Sequence, residues 1–252
     1  MAELVRSETR AGVAWITLDS SHNRNALSAR VRAELAAALD AAAADEAARV
    51  VVIGHTGPVF CSGMDLKEEA VVGLGKEGVR ELPAILQRIA RCPKPVVARV
   101  GGPARAGGIG ILAAADITVA AATATFAFSE VRIGLIPAVI SVPVLHRVAP
   151  AAARELLLTG ELFDAARALA IGLVNVVADD VDDAVAGSVS SLLRGGPTAL
   201  SGTKGLLRAD LDDSDERYAA LLEVSAAQFG SAEAREGARS FAEKRPAAWT
   251  ID

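Results

Sequence analysis

Residues 96–122 read VVARVGGPARAGGIGILAAADITVAAA, and the order of elements in this stretch decides the fold class. Val96–Val100 is a short run rich in β-branched residues, set off by Pro93 and Pro95, and it predicts a strand. The glycine-rich segment Gly101–Gly110 then runs into the apolar ILAAADITVAAA, which predicts a glycine turn, a buried helix and another strand. A helix that opens on Gly107-Gly108 has no side chains there to hold other backbone away. Strand, helix, strand at this spacing is the grammar of an α/β protein.

The same grammar extends in both directions. Val13–Asp19 (VAWITLD) and Arg49–Gly54 (RVVVIG) predict strands, and between them Ser28 caps a helix whose Val31, Leu35, Leu39 and Ala42 share one apolar face. A second helix carries Ile85, Leu86 and Ile89 and stops at Cys92, before Pro93 and Pro95. Thr125–Ser129 alternates like a strand. Segments 150–158 and 164–171 predict helices, with Asp164 as N-cap and Gly172 as a stop, and Leu173–Ala178 predicts another strand. From Pro197 onward only helical periodicity appears, with Ser214 and Ser231 as caps. The chain is therefore expected to divide into an α/β core, residues 1–194, and a helical region, residues 195–252.

Composition narrows the function. The 252 residues are 52% hydrophobic and 23% charged, the balance of a globular protein with a sizeable core. Twenty-six basic residues against thirty-one acidic ones give a net charge of −5, which argues against nucleic acid as a partner. Cys61 and Cys92 make no CxxC pair, and His22, His55 and His146 have no metal-ligand spacing, so reduced thiols and no metal are expected. The N-terminal MAELVRSETRAGVAWITLD lacks an apolar targeting core, and no charge-free run is long enough to span a bilayer. The expectation is a cytoplasmic, soluble protein without membrane contact.

Three segments carry chemistry: Phe60–Glu68 (FCSGMDLKE), Gly107–Leu112 (GGIGIL) and Phe128–Pro137 (FSEVRIGLIP). Gly107 and Gly108, opening a buried helix, present free N–H donors at the positive end of the helix dipole, where a developing anion is stabilised. Glu130, beside the apolar TFAFS and before Val131 and Ile133, is expected to be partly desolvated. Desolvation shifts a carboxyl toward the range useful for proton transfer. Nucleophilic catalysis finds no support, since there is no GxSxG elbow and no base beside Ser62 or Ser129. The glycines also lack the GxGxxG spacing of a dinucleotide site.

Taken in order, these segments resemble the enoyl-CoA hydratase/isomerase (crotonase) family, whose pattern runs FxxGxDLxE, GGGxxLxxxxDxxxA, FxxxExxxGxxP, with Asp116 and Ala120 filling the second. Asn25-Ala26-Leu27 and Phe241-Ala242-Glu243-Lys244-Arg245 are similar to further family signatures, so the resemblance covers essentially the whole chain. It implies a crotonase-like α/β spiral of ββα turns with a C-terminal helical region, assembled as a homotrimer or dimer of trimers. It implies an acyl-CoA thioester substrate and no cofactor beyond the CoA that the substrate carries.

The resemblance also assigns residues. The N–H groups of Met64 and Gly107 are implied as an oxyanion hole, and Glu130 as the acid/base. Arg24 and Lys67 are implied to approach the CoA phosphates. Ala26, Ser62, Asp65 and Leu66 match positions lining pantetheine and adenine, Gly108 stands beside Gly107, and Phe241 and Lys244 match a segment that closes over the nucleotide, sometimes of a neighbouring subunit. Two departures stand out: Gly110 occupies the place of the family's first glutamate, and Pro137-Ala138-Val139-Ile140-Ser141 replaces a glycine-rich PGxGG. Both resemble the branch that includes methylglutaconyl-CoA-type hydratases, which implies a branched or substituted acyl chain. Hydration of a 2-enoyl-CoA is the expected reaction. A 3,2-enoyl-CoA isomerase using Glu130 as single base, and a non-catalytic acyl-CoA-binding paralogue, stay open as alternatives.

Overall fold

The computed structural model describes residues 3–65, 67–68, 78–207 and 231–251. Its larger sheet has six strands in the order β1 (Val5–Arg10), β2 (Val13–Leu18), β3 (Val50–His55), β4 (Val96–Val100), β6 (Ile117–Ala121) and β9 (Val176–Ala178). From β2 onward every neighbour is parallel; only the β1–β2 hairpin is antiparallel. The strands lie in chain order with no reversal, so the sheet has no topological switch point of the dinucleotide-binding kind.

Each turn of the chain adds one strand to this sheet, then a short segment to a second layer, then a helix. The second layer contains β5 (Ala104–Arg105), β7 (Thr125–Ala127) and β8 (Phe163–Asp164), in that spatial order. Isolated parallel bridges Leu27–Met64 and Cys61–Ala104 extend it on one side. The helices that follow are α1 (Ala29–Ala44), α2 (Gly78–Arg91) and α3 (Gly107–Ala114). This is the expected spiral of ββα turns.

Period-two alternation explains why the central strands are apolar throughout. Val51 and Ile53 point into the main core with α1, α2 and α3, while Val50 and Val52 join a second cluster. That cluster is closed by Val181, Val185, Val189 and Leu193 of a further helix, Val181–Leu193. Ser28 caps α1 by accepting from Val31 N–H (3.3 Å), and Val31, Leu35, Leu39 and Ala42 are all buried.

Beyond β7 come a 3₁₀ turn, Ser129–Ile133, then α4 (Ala138–Arg147), α5 (Pro150–Thr159) and α6 (Ala165–Ala170). Asp164 caps α6 through Arg167 N–H (2.8 Å), and Gly172 follows with φ +85°. The helix Val181–Leu193 is α7; Pro197–Leu207 and Ala232–Glu243 are α8 and α9. Helix α8 is latched to the core by Lys204, whose buried ammonium pairs with Asp116 Oδ2 (2.7 Å) and donates to the carbonyls of Ile89 and Lys94. Ser231 Oγ accepts from Ala234 N–H (3.0 Å) at the start of α9. The Ser214 cap lies outside the described residues. No helix among the described residues is long and apolar enough to cross a membrane.

Candidate active site

Register in the second layer brings the chemistry together. Cys61 pairs with Ala104, and Ala104 pairs with Phe126, all parallel. Moving three residues onward from the first two leads to Met64 and Gly107, and four from the third leads to Glu130. Three segments separated widely in sequence therefore deliver these residues at the same end of one small sheet. The hydrogen bond from Ala106 N–H to the Ala127 carbonyl (3.2 Å) continues the pairing up to that point.

Glycine is required where the first two segments meet. Gly63 has φ +93°, and a Cβ built on it would lie 3.0 Å from Ala106 Cβ and 3.7 Å from Gly107 N. A Cβ on Gly108 would lie 2.8 Å from both the Cβ and the carbonyl oxygen of Cys61. The peptides 63–64 and 106–107 thus approach with no side chain between them. Among the described residues neither Met64 N–H nor Gly107 N–H donates to a backbone carbonyl. Gly107 is the first residue of α3, whose opening N–H groups have no intrahelical partner. Ala106 before it takes φ +47°, a strained value for a residue with a Cβ, at the corner that turns the chain into the helix.

Glu130 sits in the 3₁₀ turn with one carboxylate oxygen, Oε2, buried and without a hydrogen-bond partner among the described residues. Burial raises its pKa above the ordinary 4.5, opposed by a bond from its own backbone N–H. A sheltered carboxyl with an open oxygen is equipped to take up and release a proton. Burial also pushes the Cys61 thiol up to about 12, which leaves it protonated at neutral pH and unsuited to nucleophilic attack.

The remaining expected residues fall into two groups. Arg24 is exposed at φ +60°, and its carbonyl accepts from Ser62 N–H (3.1 Å). Ser62 Oγ donates to Asn23 O (3.4 Å), and Asn23 Nδ2 donates to Asp65 Oδ2 (3.2 Å). Asp65 Oδ1 accepts from Lys67 N–H (3.1 Å) and Glu68 N–H (3.4 Å), Ala26 is buried, and the Lys67 side chain is exposed. Arg24, Ala26, Ser62, Asp65 and Lys67 lie on one pair of adjoining segments with Met64, and Gly108, the second residue of α3, packs against Cys61 beside them. Leu66 and the side chain of Phe241 lie outside the described residues.

Lys244 is exposed at the end of α9, and no hydrogen bond or ion pair among the described residues ties it to those loops. The chain after it folds back so that Trp249 O accepts from Arg49, the residue before β3. That is where the sheet strands begin; the Met64 and Gly107 loops follow where they finish.

Two features escaped the sequence reading. Asn25, buried at φ +53°, accepts from Ser20 N–H (2.8 Å) and donates to the carbonyls of Thr56 (3.0 Å) and Val59 (2.8 Å), clamping the loops that precede the site. Asparagine is among the few residues that tolerate this backbone region, which was the available signal. The second is Ile140: a Cβ on Gly110 would lie 2.7 Å from Ile140 Cγ2, so the place expected for a second carboxylate is filled with hydrocarbon from α4.

The fold is a spiral of ββα turns, and one end of its second layer carries the close approach of peptides 63–64 and 106–107 and, on the neighbouring segment, the half-buried Glu130. The family model described as enoyl-CoA hydratase/isomerase matches residues 8–251, and the chain belongs to this family. A Rhodobacter capsulatus protein named "Probable enoyl-CoA hydratase" is 37% identical over 252 residues, covering 98% of this chain and 97% of the relative. Rat mitochondrial methylglutaconyl-CoA hydratase is 30% identical over 250 residues, 95% of this chain and 79% of that protein. The crystal structure of a Mycobacterium smegmatis enoyl-CoA hydratase superposes with a TM-score of 0.89 at 32% identity, covering 98% of each chain.

Proposed function

We propose that this protein is an enoyl-CoA hydratase that adds water reversibly across the C2=C3 bond of a 2-enoyl-CoA thioester. The observation that carries the reading is the side-to-side approach of peptides 63–64 and 106–107 at the end of the layer that also carries the half-buried Glu130. In the proposed reaction the thioester oxygen lies between the N–H groups of Met64 and Gly107. Glu130 takes a proton from water as its oxygen bonds to C3, the π electrons move toward C2 and the thioester oxygen, and Glu130 returns the proton to C2. The product is a 3-hydroxyacyl-CoA, and Glu130 ends as it began. No cofactor enters this scheme, CoA being part of the substrate.

Arg24, Ala26, Ser62, Asp65, Leu66, Lys67 and Gly108 are assigned to the CoA portion, in a cytoplasmic enzyme whose residues 1–194 hold the site and whose residues 195–252 cover it and assemble subunits. Hydration is tested by loss of the conjugated thioester absorbance across a panel of straight, branched and substituted 2-enoyl-CoA esters. Absorbance unchanged with every ester removes the proposal. The isomerase reading is kept because Ile140 fills the second carboxylate's place: a proton shift between C4 and C2 needs one base, and Glu130 supplies one.

Acid should switch the enzyme off above the ordinary carboxyl range. Because burial holds Glu130 protonated to higher pH than 4.5, kcat/KM falls as pH drops through a midpoint above that value. The stability linkage has the opposite sense: the folded state binds this proton more tightly than the unfolded chain. That contribution is present below pH 4.5 and is lost as pH rises through the folded pKa. A pH–rate profile whose acid limb lies at or below 4.5 contradicts the role given to Glu130.

A homotrimer or dimer of trimers, holding acyl-CoA, belongs to the same proposal. Its support is an apolar surface on the loop that follows the 3₁₀ turn, on α4 and on α5, where Ile136 is 84%, Val142 65% and Leu158 77% exposed in the single chain. The sequence adds a second reason, since the apolar Leu221, Leu222, Val224 and Phe229 of the helical region exceed what a small tail can bury alone; these four lie outside the described residues. Light scattering at micromolar concentration should give three or six times the chain mass; a monomer would remove the idea that Phe241 and Lys244 serve a neighbour's nucleotide site.

A further inference from the structure

We infer that Arg32 is a positioning residue for the Met64 N–H donor, acting through Leu27; the inference rests on the reading of that N–H as half of the oxyanion site. Arg32 is the fourth residue of α1 and is only 3% exposed. A guanidinium there is unfavourable twice over, since burial strips its hydration and the positive end of a helix repels a cation. Its bonds account for its presence. Nη1 donates to Leu27 O (2.7 Å), Nε donates to Glu81 Oε2 (2.8 Å), and Glu68 Oε2 lies 3.8 Å from Nη1. Glu68 Oε2 also accepts from Ala29 N–H (2.7 Å), placing negative charge at the start of α1. One side chain therefore joins Leu27, the loop carrying Met64 and the first turns of α2.

Leu27 transmits this hold to the site. Its N–H donates to the Gly63 carbonyl (2.8 Å), and Leu27 pairs with Met64 in a parallel bridge. The Gly63 carbonyl and the Met64 N–H are the two ends of a single planar peptide and point in opposite directions. Fixing the oxygen therefore aims the N–H, and bonding the oxygen polarises it as a donor. The other donor is held differently: the Ala106 carbonyl, in the peptide that carries Gly107 N–H, accepts from Ile109 (2.9 Å) and Gly110 (3.2 Å) in the first turn of α3. Gly107 is aimed by its own helix. Met64 opens no helix, and its peptide is aimed by Leu27, which Arg32 holds.

The test uses the full-length protein, Arg32→Met, a best 2-enoyl-CoA substrate, and a cinnamoyl-CoA bearing a para-dimethylamino donor, whose absorption moves to the red as its thioester carbonyl is polarised. Expected are a kcat lower by about 10–100-fold with KM within about threefold, and a red shift of the bound probe at least halved. Arg32→Lys, which keeps the charge and loses the planar fork, should fall between the two. A folded Arg32→Met enzyme with kcat within about threefold of the parent and the full red shift overturns the inference. If Arg32→Met does not fold, Glu81→Gln, changed at a side chain 53% exposed, takes its place. There a kcat lower by about 3–10-fold with an intermediate red shift supports the inference, and parental values of both overturn it. A parent enzyme that neither binds nor shifts the probe defeats the reading of the site itself, whereas a parent that does so while Arg32→Met matches it defeats only the role of Arg32.

Discussion

Glu130→Gln lowers kcat by about 10²–10⁴ while acyl-CoA affinity stays within about threefold. Glutamine has nearly the shape of glutamate and fills the same half-buried turn, so packing beside Phe128 and Val131 is preserved. What it lacks is the ability to accept a proton. The acid limb of the pH–rate profile should vanish with the carboxyl, because that limb reports the titration of Glu130 itself. Steady-state kinetics and equilibrium binding of a saturated acyl-CoA separate the two effects. Parental turnover in the variant would show that the proton is handled elsewhere.

Gly110→Glu, which restores the family's first carboxylate by sequence, destabilises the protein by about 3–5 kcal/mol. The new Cβ would lie 2.7 Å from Ile140 Cγ2 and 3.5 Å from Leu86 Cδ1, and all of α3 is buried, so the added carboxylate has neither room nor water. Ile140→Gly removes the obstructing branch at its own cost of about 3–5 kcal/mol for a core truncation plus a helical glycine. Combined, the two changes should be less damaging than their sum by about 2 kcal/mol, the signature of side chains competing for one space. Denaturant unfolding of the parent, both single variants and the double variant measures this coupling. Strict additivity would mean that Ile140 does not occupy the second carboxylate's place.

How much of this was legible in the sequence depends on whether backbone or side chains were being read. The central strands announced themselves because both sheet faces are buried and their residues are continuously apolar, as in VVVI at 50–53. β1 was hidden: it is an edge strand with five of its six residues exposed, so no apolar alternation marks it. Helix α4 was masked by Pro137 before it and Pro143 inside it. Gly63, Gly107 and Gly108 could be read because their meaning is close backbone approach, which glycine alone permits. The contact of Ile140 with Gly110, thirty residues on, and the bonds of Arg32 to Leu27, Glu68 and Glu81 depend on how helices pack, which no local pattern records. The place of Lys244 is not marked locally either: the residues that follow it fold back so that Trp249 O accepts from Arg49, before β3, at the end of that strand away from Met64.

The most direct test of the central claim follows water itself. The purified enzyme is incubated with its best 2-enoyl-CoA in water enriched in ¹⁸O, and the acyl product is weighed by mass spectrometry. The account predicts a 3-hydroxyacyl-CoA that carries one ¹⁸O from solvent, formed rapidly by the parent and at a rate lower by about 10²–10⁴ by Glu130→Gln. An enzyme that interconverts 3-enoyl- and 2-enoyl-CoA while incorporating no ¹⁸O would contradict hydration and make Glu130 the single base of an isomerase.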